Sequence, residues 1–239
     1  LIAVGPVSVA TLKPRLEQLF RNWQPGEIPA KRIDEVRAQP DRILYLVDKP
    51  GAEQSVIFAG QLIPPRATAD DIAIEAMNDV LGGQFTARLN MNLREDKHWS
   101  YGAYSMAQDA RGQRALLAYA AVQSDKTAES LKEIRNEIKD IATTRPASAD
   151  EVALVKRSNI LSLPGQWETG AAVLGSISKL VEFGLPDTYW AGYADAVRSL
   201  TPEQVNQAAR DHLQPEGLVF VVVGDRKVIE PGLKALGFD

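Results

Sequence analysis

Leu81-Gly-Gly-Gln-Phe-Thr-Ala-Arg-Leu-Asn90, followed by Met91-Asn-Leu-Arg-Glu-Asp-Lys-His-Trp-Ser-Tyr101-Gly-Ala-Tyr104, holds the transition around which the chain is organised. The glycine pair Gly82-Gly83 ends a mostly apolar, and hence buried, helix that starts at Thr68-Ala-Asp-Asp71, where a capping side chain and first-turn acids favour initiation. A second helix is predicted over about Thr86 to Lys97. The β-prone run Ser100 to Ala107 then reads as a strand.

Working outward, Ser100 to Ala107 and Arg114 to Val122 flank Asp109-Ala-Arg-Gly112, the pattern of a hairpin with a short glycine-containing loop. Upstream lie two more strand candidates, Arg42 to Asp48 and Gln54 to Leu62, joined by Lys49-Pro50-Gly51-Ala52. Proline presets φ there and glycine supplies φ > 0. The segment Leu1 to Gly5 reads as a strand entered partway, before a helix over Ala10 to Trp23 and a polar connection over Gln24 to Pro40. Downstream, Leu131, Ile134, Ile138 and Ile141 mark an amphipathic helix, and Ser148-Ala-Asp-Glu151 is a capping box that opens another. Helices over Glu168 to Glu182 and Asp187 to Val197 follow. Thr201-Pro202-Glu203-Gln204 starts a further one, with proline at the first helical position. A strand over Leu218 to Val223 and a short terminal helix close the chain. The expected fold class is α+β, a mixed and largely antiparallel sheet covered by helices. It forms one domain over 1–239, β-rich over residues 1–123 and mainly helical over residues 124–239.

The net charge of −4 argues against a phosphate-binding surface and so against nucleic acid as a partner. Apolar runs such as Gly217 to Gly224 are far too short for a membrane span. With no cysteine, disulfides and thiolate metal sites are excluded. That usage is compatible with cytoplasm or periplasm, of which periplasm is the favoured expectation. The first residue is Leu1, and no basic n-region or long h-region precedes a cleavage site, so Leu1 to Gly5 is not a signal peptide. The chain is expected to be a piece of a longer polypeptide.

No self-sufficient catalytic apparatus is visible. The two histidines, His98 and His212, lack a second imidazole one helical turn away and a glutamate beside it, which a zinc peptidase motif requires. There is no P-loop and no nucleophile elbow, and Gly165-Gln-Trp-Glu-Thr-Gly170 reads as a loop. Asp96, His98 and a serine form no triad on sequence proximity alone. Glu151 and the other helix-start acids read as solvated caps. Trp167, Tyr189 and Trp190 read as core or interdomain packing, and His212 as a favourable group near a helix C-terminus.

In the opening stretch the sequence resembles the C-terminal half-domains of M16 (pitrilysin/insulinase-like) zinc metallopeptidases. These carry a glycine-rich helix junction, a leucine-arginine-acid run and a tyrosine opening a strand. Arg94 and Tyr101 have the seven-residue spacing of the family's arginine–tyrosine pair. Leu46-Val-Asp-Lys-Pro-Gly51 with Gln54, the opening Ile2-Ala-Val-Gly5 and the closing Val221-Val-Val-Gly-Asp225 extend the likeness over most of the chain. Taken singly, Arg94 would be a solvated helix end and Tyr101 a half-buried strand aromatic. Seven residues on an ideal helix return to nearly the same face, or the tyrosine can begin the adjoining strand; either places both side chains within reach of one cavity. Family members often have glycine where this chain has His98. That histidine reads as an exposed group or left-handed helix cap first, a pocket-lining group second and a metal ligand last.

The resemblance implies a substrate-chamber, non-zinc portion of a peptide-hydrolysing enzyme. Arg94 and Tyr101 would bind substrate, with Tyr101 also stabilising the developing oxyanion. It implies no cofactor in this chain. Zinc and the general base would come from an N-terminal zinc-binding M16 domain in cis or from a partner subunit, and this segment alone would be inactive. The alternatives are a non-catalytic scaffold, similar to the core subunits of respiratory complexes, and an independent peptide-binding module.

Overall fold

The computed structural model describes residues 1–37 and 41–238. Its centre is a five-stranded sheet of β1 (Ile43–Asp48), β2 (Gln54–Ile63), β3 (Ser100–Ala107), β4 (Arg114–Gln123) and β5 (Val219–Gly224), ordered β1-β5-β2-β4-β3. Only β1 with β5 is a parallel pairing; the other three are antiparallel. The Pro50-Gly51 turn therefore does not close a hairpin. It arches over the end of β5, which inserts between β1 and β2, and the φ of +74° at Gly51 makes that turn possible. Gly51 N–H donates to Asp225 Oδ2 at 2.8 Å, and Arg226 N–H donates to Asp48 Oδ1 at 3.0 Å. The helical region of the sequence thus supplies a strand interior to the sheet.

Alternation along the strands sends one face into the core. Ile57, Leu116, Ala120, Val122, Phe220 and Val222 are buried on that face. Helix α2 (Asp71–Asn78), α4 (Thr127–Ala142) and α8 (Pro202–His212) cover it, contributing Ile74, Met77, Leu131, Ile134, Ile138, Ile141 and Val205. The 3.6-residue stripe read from α4 is thus its buried face. The other face of the sheet exposes Tyr45, Val47, Phe58, Tyr104 and Met106. Both capping boxes form, at Ser148 ahead of α5 (Ala149–Ser162) and at Thr201 ahead of α8. Arg114, fully buried, donates to the Pro64 carbonyl at 2.7 Å and pairs with Asp71 at 2.9 Å and Glu75 at 3.2 Å.

Several expectations need correction. Leu1 to Gly5 forms no strand, because none of the described strands pairs with it; Ile2 and Val4 are half-buried, and Val4 lies beside Gly170. Helix α1 spans Val9–Leu19, stopping short of Trp23, and buries no residue. Of the polar connection, Ala38 to Pro40 lie outside the described residues. Helices α6 (Gly170–Phe183) and α7 (Tyr189–Ser199) meet through an aromatic cluster separate from the main core, in which Trp167 and Trp190 stack edge-on at 6.1 Å. Helix α9 (Arg226–Ala235) ends the chain.

Candidate substrate cleft

The helix after the glycine pair, α3, starts at Arg88 (Arg88–Asn90) and continues as a wider π-type turn over Met91–Asp96. Lys97 N–H accordingly donates to the Asn92 carbonyl, five residues back, at 3.1 Å. Such widened turns cost helix regularity and recur at functional sites. Three polar anchors hold this one. Arg88 forks onto Glu151 of α5 through two 2.7 Å bonds. Asn90, fully buried, accepts from Ala103 N–H at 3.2 Å and donates to the Phe85 carbonyl at 2.7 Å. Asn92 donates to Glu133 and Glu137 of α4. Glu151 caps α5 as expected from sequence, but its carboxylate is paired with Arg88 and only partly solvated. Burial pushes its carboxyl up, but the Arg88 guanidinium and the Ser148 backbone N–H outweigh that and hold it at about 2.

The chain reverses at His98, whose φ of +57° places it in the left-handed region. Its backbone N–H donates to the Arg94 carbonyl at 3.2 Å, and Trp99 N–H donates to the Leu93 carbonyl at 2.9 Å. These bonds close the helix end as a C-terminal cap does. β3 then opens with a register irregularity between Ser100 and Ala103. Ser100 Oγ fills the gap, donating to the Ala121 carbonyl or the Gly102 carbonyl, each 2.7 Å away, and accepting from Gly102 N–H at 3.1 Å. Bulges re-aim side chains. Here the result is a Tyr101 residue that is 87% exposed on an edge strand.

Arg94, His98 and Tyr101 line one open cleft of about 430 Å³ with Gln54, Trp99 and Gln123. Arg94 arrives from the π-type turn and Tyr101 from the strand, so the sequence spacing is realised by chain reversal and not by helical periodicity. The Arg94 guanidinium lies 4.7 Å from the Phe85 ring centroid, a cation–π contact, and 3.3 Å from Glu95. Sequence reading missed Phe85, nine residues upstream across the glycine junction, because no periodicity links it to Arg94. It also missed Asn90, whose role depends on a β3 backbone that lies beside it only after folding.

His212 is elsewhere, at the end of α8, with Nε2 2.5 Å from Asp70 Oδ2. Burial raises the Asp70 carboxyl, but the His212 hydrogen bond leads the effects that hold it below its usual range. Among the described residues, no three histidine, cysteine, aspartate or glutamate side chains converge to hold a metal ion. A zinc site needs three or four such ligands, so these residues do not fit that metal. Among the described residues no helix is long and apolar enough to cross a membrane.

The family model described as the peptidase M16 inactive domain matches residues 1–159. The chain belongs to this family. A crystal structure of a peptidase M16 inactive domain from Pseudomonas fluorescens is 24% identical, with a TM-score of 0.81 over 92% of this chain and 52% of that one. A protease from Helicobacter pylori has the same TM-score at 17% identity, over 92% of this chain and 53% of that one. The periplasmic protease PqqL from Escherichia coli matches at 16% identity and a TM-score of 0.71, over 92% of this chain and 24% of that one. The M16 chain thus spans about half the length of the first two structures, and at these identities the likeness shows the shared fold. A search of curated protein sequences finds no match.

Proposed function

We propose that this M16 inactive domain holds peptide substrate for a zinc peptidase whose metal and general base lie outside the chain, in a catalytic M16 domain in cis or in a partner subunit. The observation carrying this reading is the convergence of Arg94 and Tyr101 on one open cleft, with no side-chain set suited to zinc among the described residues. Arg94 supplies a permanent planar cation that suits a peptide carbonyl or a carboxylate. Tyr101 supplies a hydroxyl donor on a stiff arm, free to orient toward an oxygen that gains charge during acyl cleavage. Once held against the substrate, one donor of this kind contributes about 2.7–4 kcal/mol, or roughly 10²–10³ in kcat.

The decisive test uses the full-length protein with peptide substrates. Tyr101→Phe is expected to lower kcat by roughly 10²-fold with the fold intact. Unchanged turnover removes Tyr101 from this role. The 239-residue chain alone is expected to show no peptidase activity, and chelator-sensitive hydrolysis by it overturns the proposal. A full-length protein that binds no zinc and cleaves nothing, alone or with its partner, identifies the fold as a scaffold instead.

A further inference from the structure

Two observations at His98 go beyond the arginine–tyrosine pair. Its backbone is left-handed, the conformation in which glycine is the usual occupant, so an imidazole stands where a bare cap would suffice. In addition, its Nδ1 lies 3.0 Å from the Arg94 carbonyl, which its own backbone N–H also reaches. A carbonyl oxygen only accepts, so Nδ1 carries the proton in that bond. The neutral ring then has Nε2 as a lone-pair acceptor. The cap therefore fixes the tautomer, and the fixed ring lines the cleft of Arg94 and Tyr101.

We infer that His98 Nε2 accepts a hydrogen bond from a backbone N–H of the bound peptide, one residue step from the oxygen gripped by Arg94 or Tyr101. The inference rests on the substrate-cleft reading above and specifies the ligand further. Arg94 and Tyr101 are donors, which alone would fit any anion or carbonyl. An extended peptide presents N–H and C=O groups in alternation, so an acceptor beside two donors matches a peptide backbone. Other acceptors line the cleft. Glu95 is paired with Arg94 at 3.3 Å through Oε1, and Gln123, which donates to the His98 carbonyl through Nε2 at 3.2 Å, keeps its Oε1; loss of the ester sensitivity in His98→Gly distinguishes His98 from both. Gln54 and His98 are both exposed, and the His98 ring is oriented by its bond to the Arg94 carbonyl.

His98→Gly is a clean probe, because glycine suits φ > 0 and the cap keeps its backbone bonds. The 239-residue chain labelled with ¹⁵N at its two histidines is titrated with an extended decapeptide and with analogues in which each amide in turn is replaced by an ester, which lacks the N–H. The expected result is a proton on Nδ1 of His98, a ¹⁵N shift at its Nε2 on peptide addition, and one ester position that weakens binding about fivefold. In His98→Gly, unfolding at the wild-type temperature or above should accompany loss of that ester sensitivity. If Arg94→Ala abolishes binding while His98→Gly keeps the ester sensitivity, His98 is only a cap and this inference fails. If neither Arg94→Ala nor Tyr101→Phe alters binding, the substrate-cleft reading fails as well.

Discussion

Replacing Glu151 with glutamine tests how the candidate cleft is held in place. Glu151 Oε1 and Oε2 each accept from Arg88 at 2.7 Å, and Oε2 also accepts from Ser148 N–H at 2.8 Å. The Arg88 side chain is only 7% exposed, and Glu151 is 34% exposed. Glutamine keeps the shape and the capping-box bond, and removes the charge and one of the two bonds to Arg88. The carboxyl falls from 4.5 to about 2 on folding. At about 1.36 kcal/mol per pH unit, that sets an upper bound near ~3.4 kcal/mol. A third of the side chain faces solvent, so screening reduces the expected loss to about 2 kcal/mol. The pKa is depressed in the folded state, so the stabilisation is complete above about pH 4.5 and disappears as the pH falls toward 2. Urea unfolding of wild type and Glu151→Gln at a series of pH values reads both quantities. The difference should be about 2 kcal/mol at neutral pH and should fall by more than half by about pH 3, where wild type begins to protonate. A difference below about 0.5 kcal/mol at neutral pH, or one that does not change with pH, refutes the assignment of this pair as the anchor of α3.

Other substitutions probe the rest of the frame. A Cβ at Gly82, in the π-type turn Asp79–Gly83 that follows α2, would lie 2.5 Å from the Ser105 backbone nitrogen, so Gly82→Ala should push that turn away from β3 and destabilise the fold by about 1–3 kcal/mol in thermal unfolding. Arg114→Ala removes one of the two guanidinium groups that pair with Asp71 and Glu75, leaving Arg66 at 3.2 Å and 2.8 Å from them, and should cost about 1–3 kcal/mol; normal unfolding temperature in that variant contradicts the ion-pair account. Thr201→Ala removes the α8 cap and should cost about 1 kcal/mol by chemical denaturation. Ile134→Ala opens a cavity under the sheet and should cost about 2–5 kcal/mol, with the far-UV spectrum unchanged.

The features legible in sequence were those with local causes. The β3–β4 hairpin follows from alternation on either side of Asp109-Ala-Arg-Gly112, and the α8 start follows from Thr201 and Pro202 acting within four residues. α4 was readable because its apolar stripe is the face it buries against the sheet. What escaped was long-range. Nothing near Lys49-Pro50-Gly51 signals that β5, about 170 residues later, will insert between β1 and β2. Glu151 carries the same local signature whether its carboxylate meets water or Arg88, and only the fold brings that guanidinium across a sequence separation of 63 residues.

The candidate site combines both kinds of cause. Arg94 and Tyr101 are seven residues apart, a separation that would put them on one face of an uninterrupted helix. The structure reaches the same convergence by a different route, and that route limits what can vary. The π-type turn sets where Arg94 emerges, the left-handed cap at His98 ends the helix, and the Ser100-filled bulge turns Tyr101 outward. A substitution that forces His98 out of φ > 0, such as a β-branched residue, should therefore displace Tyr101 relative to Arg94 without touching either side chain. His98→Gly should leave their relation unchanged. Comparing His98→Val with His98→Gly separates the two contributions of this residue: geometry is lost in the first alone, whereas the imidazole acceptor is lost in both.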